Sequence, residues 1–136
     1  MAQAKLASKE LSIFEKLQAA SHGTVTLYRG STITDLTKLG FSMDEIYRFV
    51  IPRRTLARRI ANGEALTVDE NDNALRLVEI LNHATRVFAD KAVAIDWLRT
   101  PNRAMGNIVP LDLLESETGA RLVEQALHQI DFGIYV

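Results

Sequence analysis

The sequence predicts an all-α protein, because two kinds of helix signal recur along its 136 residues. Apolar residues return at three- and four-residue steps, the spacing that places side chains on one face of a helix. Between these repeats stand signals for helix ends, namely two Ser/Thr-x-x-Glu capping boxes and several glycines. The alternation typical of a strand is weak and confined to residues 24–28, which fit either a short strand or an extended link.

Two helices are predicted in the first forty residues. Leu11 and Phe14 follow helical spacing, and the polar sequence that ends in Gly23 closes this first helix. The second helix covers about residues 31–39 and stops at Gly40, because glycine has no β-carbon to oppose a sharp turn.

A capping box and a proline mark the starts of the third and fourth helices. The side chains of Ser42 and Glu45 can each bond the other's free backbone N–H at a helix start. Pro52 has the torsion of a first helical position, so the fourth helix is predicted from there to Asn62, with Gly63 as its stop. The predicted inward-facing residues are Ile46, Phe49 and Val50 in the third helix, and Leu56, Ala57 and Ile60 in the fourth.

A second capping box opens the longest predicted helix. Thr67 and Glu70 repeat the Ser/Thr-x-x-Glu pattern, and helical periodicity continues from there to about Phe88. The packed face of this helix is predicted to carry Ala74, Leu77, Val78, Leu81 and Phe88.

Three further helices are predicted in the remainder of the chain. A helix over about 90–99 must end before Pro101, because proline restricts the residue that precedes it. After a looped stretch, Pro110 begins a short helix that runs through Leu114. The last helix covers about 117–130, and its predicted packed side carries Leu122, Val123, Ala126, Leu127 and Ile130.

Composition restricts the classes of function. The chain has no cysteine, so disulfides, thiolate nucleophiles and thiolate metal sites are excluded, which fits a reducing compartment. Its first residues lack the pattern of a signal peptide, and no apolar run approaches the ~18 residues of a membrane span. We therefore expect a cytoplasmic protein that does not associate with membranes.

The small net charge of −1 hides an uneven distribution. Residues 1–70 carry ten Lys/Arg against eight Asp/Glu, whereas residues 71–136 carry six against nine. A chain of this kind can present a locally basic face to a polyanion although its total charge is acidic.

No pattern in the sequence predicts an enzyme. His22, His83 and His128 are scattered without metal-ligand spacing, and no Gly-rich phosphate loop, nucleophile elbow or paired carboxylates occur. Structural or solvent-exposed roles are therefore the preferred interpretation of the histidines. We expect no catalytic residues, no metal and no cofactor.

A basic cluster gives the strongest signal from the residues alone. Between Glu45 and Glu64 there is no acidic residue, and the window spans two short helices joined by a tight turn, as in a helix-turn-helix. The window contains five arginines and no lysine, and arginine offers a fork that matches guanine and phosphate. The alternative is a solvated helix face, which is what charge runs usually are. The five arginines are Arg48, Arg53, Arg54, Arg58 and Arg59.

Positions on the predicted fourth helix, the second of this pair, assign roles for DNA contact. Arg53 and Arg54 lie at its N-terminus, where a recognition helix meets base edges, and Thr55 can contact a phosphate or a thymine methyl. Arg58 follows Arg54 by one turn and shares its face. Arg59 is predicted to contact a phosphate or to form a salt bridge.

Two apolar features suggest a protein partner. Trp97 is either an interface residue or an anchor of the internal core, and its spacing favours the core. The sequence Gly133-Ile134-Tyr135-Val136 carries three apolar side chains that must pack on their own domain or insert into a partner.

Taken as one string, the second half resembles the toxin-binding C-terminal domain of Xre/MbcA/ParS-type antitoxins. The segment from Arg53 to Thr67 similarly resembles the Xre-like DNA-binding part of these proteins. The resemblance covers about residues 31–136, and its specificity lies in the order and spacing of the whole string. The matching motifs are Phe88-Ala89-Asp90, Ala92, Asp96-Trp97-Leu98, Pro101-Asn102, Met105-Gly106, Pro110-Leu111-Asp112-Leu113-Leu114, Glu117-Thr118-Gly119-Ala120 and Gly133-Ile134-Tyr135-Val136.

The resemblance implies an antitoxin paired with a RES-domain toxin that destroys NAD. In that family the C-terminal end of the antitoxin blocks the toxin's active-site entrance, and the complex represses its own operon. Carried over by position, the plug would be Gly133, Ile134, Tyr135 and Val136. The domain that presents it would be shaped by Trp97, Pro101, Asn102, Gly106 and Pro110, and the DNA-reading helix would carry Arg53, Arg54, Thr55 and Arg58.

The resemblance also implies a domain order. Residues 1–30 would be an N-terminal helix and extended link, residues 31–66 an Xre-like helix-turn-helix bundle, and residues 67–136 the helical toxin-binding domain. Two departures from the family pattern stand out. This chain has Asn107 after Gly106 where the family often has a second glycine, and it has Asn71-Asp72-Asn73 where the family commonly has Ser-Asp-Arg. Asparagine tolerates a left-handed backbone at the first of these positions.

The predicted partners are thus the cognate toxin and operator DNA. Because two-fold operators match two-fold proteins, DNA binding as a homodimer is expected. The alternative is a stand-alone helix-turn-helix regulator whose C-terminal half only dimerises. A RES-domain gene next to this one would favour the antitoxin.

Overall fold

The structure is a computed structural model, which describes residues 27–133. The predicted helix around Leu11, most of residues 24–28, and Ile134, Tyr135 and Val136 lie outside the described residues. Within this part of the chain no strand forms, and only two isolated bridges occur, Arg29 with Ala65 and Asn102 with Ile108. The all-α prediction is confirmed.

The described elements follow the predicted order. They are α1 (Gly30–Ile33), a 3-10 segment (Thr34–Leu39), α2 (Met43–Phe49), α3 (Arg53–Asn62), α4 (Val68–Phe88), α5 (Lys91–Arg99), two 3-10 segments (Arg103–Met105 and Pro110–Glu115) and α6 (Glu117–Asp131). The second predicted helix is mostly 3-10 rather than α, and the short helix predicted from Pro110 is 3-10 throughout. Pro52 caps α3 from outside, one position before its predicted place inside the helix.

Short-range hydrogen bonds explain why the helices begin where they do. Ser42 N–H donates to Glu45 Oε1 at 2.8 Å, and Glu45 N–H donates back to Ser42 Oγ at 3.1 Å. The second predicted box is also present, with 2.8 Å from Thr67 N to Glu70 Oε1 and 3.2 Å from Glu70 N to Thr67 Oγ1. Asp90 starts α5 by accepting two backbone N–H groups. Each cap satisfies donors that the first turn of a helix leaves free.

By its contacts the chain divides into two compact units, with the boundary between Leu75 and Arg76 inside α4. In the first unit α1 packs against α3, and Gly30 allows the close approach because a β-carbon there would lie 3.0 Å from Arg59 Cβ. Two of the residues that depart from the family pattern, Asn71 and Asn73, also lie in the first unit. Asn71 is buried and accepts the Tyr28 N–H at 3.4 Å, while Asn73 Nδ2 donates to the Val50 carbonyl at 3.2 Å.

The buried face of α3 is narrower than predicted. Leu56 is buried, but Ala57 is exposed and Ile60 is 43% exposed, so the predicted three-residue stripe is wrong. A helix turns about 100° per residue, so Ile60 is rotated about 40° from Leu56 and Ala57 by a full 100°. Among the described residues, the core of this unit consists of Ile33, Leu36, Phe41, Ile46, Phe49, Val50, Ile51, Leu56, Leu66, Ala74 and Leu75.

In the second unit α6 packs on the 3-10 segment Pro110–Glu115, which also contacts α5. The approach is closest at Gly119, where a β-carbon would overlap the backbone carbonyl of Leu113. Leu122 is 49% exposed, so its predicted place on the packed side of α6 is wrong, whereas Val123, Ala126 and Leu127 of the same predicted set are buried. At about 100° per residue, Val123 and Leu127 lie about 100° and 140° round the helix from Leu122, so Leu122 falls at the edge of the buried face.

Candidate functional site

Three arginines of α3 form an exposed basic surface on the first unit. Arg53, Arg54 and Arg58 are exposed, and Thr55 beside them is half-buried. Within residues 27–133, Arg54 and Arg58 make no ion pair. We call Arg53, Arg54 and Arg58 the arginine surface.

Neighbouring aromatic rings help to order this surface. The Arg53 guanidinium carbon lies 5.3 Å from the ring centroid of Tyr47 in α2. The guanidinium of Arg48 lies 4.7 Å from the ring of Phe49. A cation over an aromatic face is held by the ring quadrupole, so Arg53 is positioned by the preceding helix. The tight link between α2 and α3 is what brings Tyr47 and Arg53 together.

Arg59 differs from the other arginines of α3. Its side chain is only 12% exposed and lies 3.1 Å from Glu64 and 2.8 Å from Glu70. The hydrogen bond to Glu70 is the main cause that raises the pKa of Arg59 above its ordinary value. Of the two roles that the sequence leaves for Arg59, the salt bridge is therefore present in the structure, and this guanidinium is already occupied.

Four of the five residues predicted to shape the toxin-binding domain lie in the stretch 101–110, between α5 and the start of the last 3-10 segment. Asn102 closes the loop before α6: its N–H donates to the Ile108 carbonyl at 2.9 Å, and its own carbonyl accepts Asn107 N–H at 2.8 Å. Gly106 and Asn107 have φ of 70° and 62°, so the asparagine adopts the left-handed conformation expected of it. Pro101 is exposed, and Pro110 is buried at the start of the 3-10 segment Pro110–Glu115.

Trp97 packs against a neighbouring aromatic ring. Its ring centroid lies 5.7 Å from that of Phe88, with the planes tilted by 44°. Both side chains are half-buried, so Trp97 keeps part of its surface in water. The arrangement combines the internal contact that spacing favoured with an exposed part that a partner can reach.

The end of α6 presents features that sequence reasoning missed. Phe132 follows the helix with 75% of its surface exposed, and Gly133 then takes φ of 71°. The His128 ring lies 6.5 Å from the Phe132 ring in a stacked geometry and 4.6 Å from the His83 ring. Burial and then the nearby His128 lower the pKa of His83. Only the spacing of positions 128 and 132 by one helical turn could have indicated this stack.

An apolar groove of about 290 Å³ lies beside this helix. None of its lining residues is ionisable. Ile108 and Leu122 at its edge are 44% and 49% exposed, far more than core residues. We call this cavity the α6 groove, and its lining consists of Ala104, Met105, Ile108, Leu113, Leu122, Gln125, Ala126 and Gln129.

Residues 27–133 contain neither a candidate metal site nor a membrane-spanning helix. No group of three or more His, Asp or Glu side chains there could hold a metal ion. In the same stretch, no helix combines the length and the apolar character needed to cross a membrane.

Comparisons with known proteins identify the family. Residues 83–133 match the family model of the antitoxin Xre/MbcA/ParS C-terminal toxin-binding domain. An antitoxin Xre of Yersinia enterocolitica is 33% identical over 123 residues, covering 79% of this chain and 83% of the relative. An antitoxin Xre of Photorhabdus laumondii is 30% identical over 119 residues, covering 83% and 80%.

A more distant relative has a different name. The Prs ADP-ribosylating antitoxin of a Sphingobium species is 23% identical over 135 residues, covering 80% of this chain and 85% of the relative. The matched toxin-binding domain contains the α6 groove, Trp97, the Asn102 loop and the exposed end of α6. With two relatives at 30% identity or more along most of their length, this chain belongs to the Xre-type antitoxins.

Proposed function

We propose that this chain neutralises its cognate toxin by placing its C-terminal end, residues 133–136, at the toxin's active-site entrance. The observation that carries the proposal is the exposed end of α6. Phe132 and Gly133 are exposed at the end of the toxin-binding domain. The left-handed conformation of Gly133 lets the chain turn away from the helix axis. Ile134, Tyr135 and Val136 then supply the apolar side chains that a concave entrance would accept.

The toxin is proposed to be a RES-domain enzyme that degrades NAD. The resemblance of the whole C-terminal string supports this partner. The name of the Sphingobium relative contains ADP-ribosylation, a reaction in which NAD is the donor, and this agrees with an NAD-dependent partner. The antitoxin itself acts by occlusion, as a binding protein rather than a catalyst.

A shortened chain that ends at Asp131 tests the occlusion. Co-expressed with the product of the adjoining reading frame, it should remain folded but fail to protect cells or preserve their NAD. A matched full-length variant, Tyr135→Ala, should give partial protection. Protection by the shortened chain equal to that of the full chain would overturn the proposal.

We further propose that the arginine surface binds the operator of the chain's own operon, with two copies on a two-fold site. The succession of two short helices, α2 and α3, joined by three residues supports this proposal, in which α3 would be the recognition helix of a helix-turn-helix. Arg53 and Arg54 begin α3, and the exposed Arg58 lies one turn on. A stand-alone regulator would share this surface but would not co-purify with the neighbouring gene product, which separates the two functions.

A further inference from the structure

The proposed plug is too small to hold a toxin by itself. A specific interface buries about 800 Å² on each partner. One aromatic side chain buries about 150–250 Å², and aliphatic side chains bury less. Ile134, Tyr135 and Val136 therefore fall well short of a stable interface, and most of the binding free energy must come from a surface that adjoins them.

The α6 groove adjoins the plug along the helix. Its α6 residues, Leu122, Gln125, Ala126 and Gln129, recur at three- and four-residue steps, and Gly133 is the next position in that series. At 1.5 Å per residue, Leu122 lies about 16 Å along the axis from the point where the plug begins. A round interface of about 800 Å² has a radius of about 16 Å, so one centred on Gly133 reaches the groove.

The chemistry of the groove fits the centre of an interface. Centres of interfaces are depleted of charged residues and enriched in methionine, and the groove has Met105 and no ionisable lining residue. Methionine adapts its shape to a partner. Gln125 and Gln129 each offer a donor and an acceptor, which suits the main-chain amides of an incoming segment.

We propose that the α6 groove is the holding site for the toxin, taking an exposed toxin segment that inserts an apolar side chain between Ile108 and Leu122. The inference rests on the proposed function, since it takes the toxin as occupant, but it assigns holding and occlusion to different residues. The groove supplies affinity, and residues 134–136 supply inhibition.

The test measures binding of the full-length chain to the purified product of the adjoining reading frame. Leu122→Glu places a charge in the groove and should weaken binding at least about tenfold, as loss of an interface hot spot does. Val93→Glu is the matched control, because Val93 is 48% exposed, Leu122 is 49% exposed, and Val93 lies outside the groove. It should bind within about twofold of the unchanged chain, in line with a surface substitution that touches no interface.

Leu122→Ala guards against a folding defect. Alanine favours the helix and adds no charge, so this variant should keep the melting temperature of the unchanged chain and still bind about fivefold or more weakly. Binding by both Leu122 variants at the strength of the unchanged chain would overturn the holding site. The holding site would also be overturned if the Leu122 variants lost self-association in sedimentation but kept toxin binding, since the groove would then hold a second copy of this chain.

The chain that ends at Asp131 separates this inference from the occlusion proposal. If the groove holds the toxin, the shortened chain should still bind it while failing to inhibit it. Inhibition by the shortened chain would overturn the plug and leave the groove intact. Loss of all detectable binding in the shortened chain would show that the plug holds the toxin and would overturn the groove.

Discussion

Arg59 and Glu70 are joined by a two-pronged ion pair, with Arg59 Nε 2.8 Å from Glu70 Oε1 and Nη2 3.0 Å from Oε2. The same Oε1 accepts the N–H of Thr67 at 2.8 Å, which closes the start of α4. One carboxylate thus fixes the first turn of α4 and holds the side of α3 opposite the arginine surface. The two-pronged geometry requires a guanidinium, because lysine carries only a point charge.

This arrangement predicts that the stability supplied by Glu70 depends on pH. Burial by itself would raise the pKa of Glu70, but the hydrogen bonds from Arg59 and Thr67 outweigh it and hold the pKa below 4.5. A lowered pKa in the folded state means stability that is fully present above the unfolded value and is lost as the pH falls through the folded value. The free-energy advantage of the unchanged chain over Glu70→Gln should therefore be large at pH 7 and shrink below about pH 4.5.

Urea denaturation of both chains at pH 7 and pH 4 measures that change. Glu117→Gln is the control, because the Glu117 and Arg121 side chains are 75% and 77% exposed and their contact is 3.8 Å long. An exposed pair contributes little, so its removal should change stability only slightly at either pH. A Glu70→Gln difference that is the same at both pH values would contradict the assignment.

The occupied guanidinium of Arg59 predicts a contrast within α3. Each of Arg54→Ala and Arg58→Ala should weaken operator binding about tenfold. Each should also reduce the steepness of the fall of log K with log salt by about 0.9, as loss of one phosphate contact does. Arg59→Ala should leave that slope unchanged, because its charge is already paired with Glu64 and Glu70. Any loss of affinity in Arg59→Ala would come from a displaced helix.

Fluorescence anisotropy of an operator fragment between about 50 and 200 mM salt distinguishes these cases, since phosphate contacts dominate the salt dependence. Arg121→Ala removes an exposed arginine from the second unit and should behave like the unchanged chain. If Arg59→Ala lowered the slope as much as Arg54→Ala, the ion pair would have to open on DNA.

The sequence predicted those features that depend on neighbours in the chain. The capping boxes at Ser42 and Thr67 and the left-handed stops at Gly40 and Gly63 are local hydrogen-bonding or steric effects, and all four are present. Burial depends instead on which distant element covers a side chain. Periodicity alone therefore placed Ile60 and Leu122 inside, although both are nearly half exposed.

The candidate site likewise combines features that can be read from the sequence with features that only the structure shows. A run of arginines without acidic residues could be read from the sequence, but Glu70, the partner of Arg59, lies eleven residues away in another helix. The α6 groove combines residues of the Asn102 loop, the Pro110–Glu115 segment and α6. A periodic pattern describes one segment at a time and cannot show that three segments meet. Such a groove is therefore visible only in the structure.

Gly119 is predicted to be irreplaceable by alanine. A β-carbon at this position would overlap the carbonyl oxygen of Leu113, and backbone atoms cannot move aside as a flexible side chain can. Gly119→Ala should therefore destabilise the second unit by about 3 kcal/mol or more, at the upper end of overpacking effects. Alanine has the higher helix propensity, so a purely local effect would have the opposite sign.

Thr118→Ala is the matched control for Gly119→Ala, because Thr118 is the exposed neighbour in the same helical turn. Its urea midpoint should stay close to that of the unchanged chain. A stable Gly119→Ala would show that α6 can shift away from the Pro110–Glu115 segment. Toxin binding by that variant should fall together with its stability, since the groove includes Leu113 and the α6 face.

The half-buried His83, whose ring lies 4.6 Å from that of His128, predicts sensitivity to mild acid. Burial is the main cause of the lowered pKa of His83, and repulsion from His128 and Arg86 adds to it, while Glu124 and Asp131 oppose it. For a histidine, a lowered pKa means that the unfolded chain binds more protons over this range. Stability should therefore be present above the ordinary value of 6.5 and fall as the pH drops through the folded value.

Melting temperatures at pH 7.5 and pH 5.5 measure this effect. The unchanged chain should lose more stability between these values than His83→Gln, which cannot take up the proton. His128→Gln should give an intermediate loss, because it removes the repulsion but leaves the burial. Equal losses in all three chains would assign the acid sensitivity elsewhere. Because the His83 ring lies beside His128, which stacks on Phe132, protonation of His83 acts close to Gly133, so toxin inhibition should weaken over the same pH range.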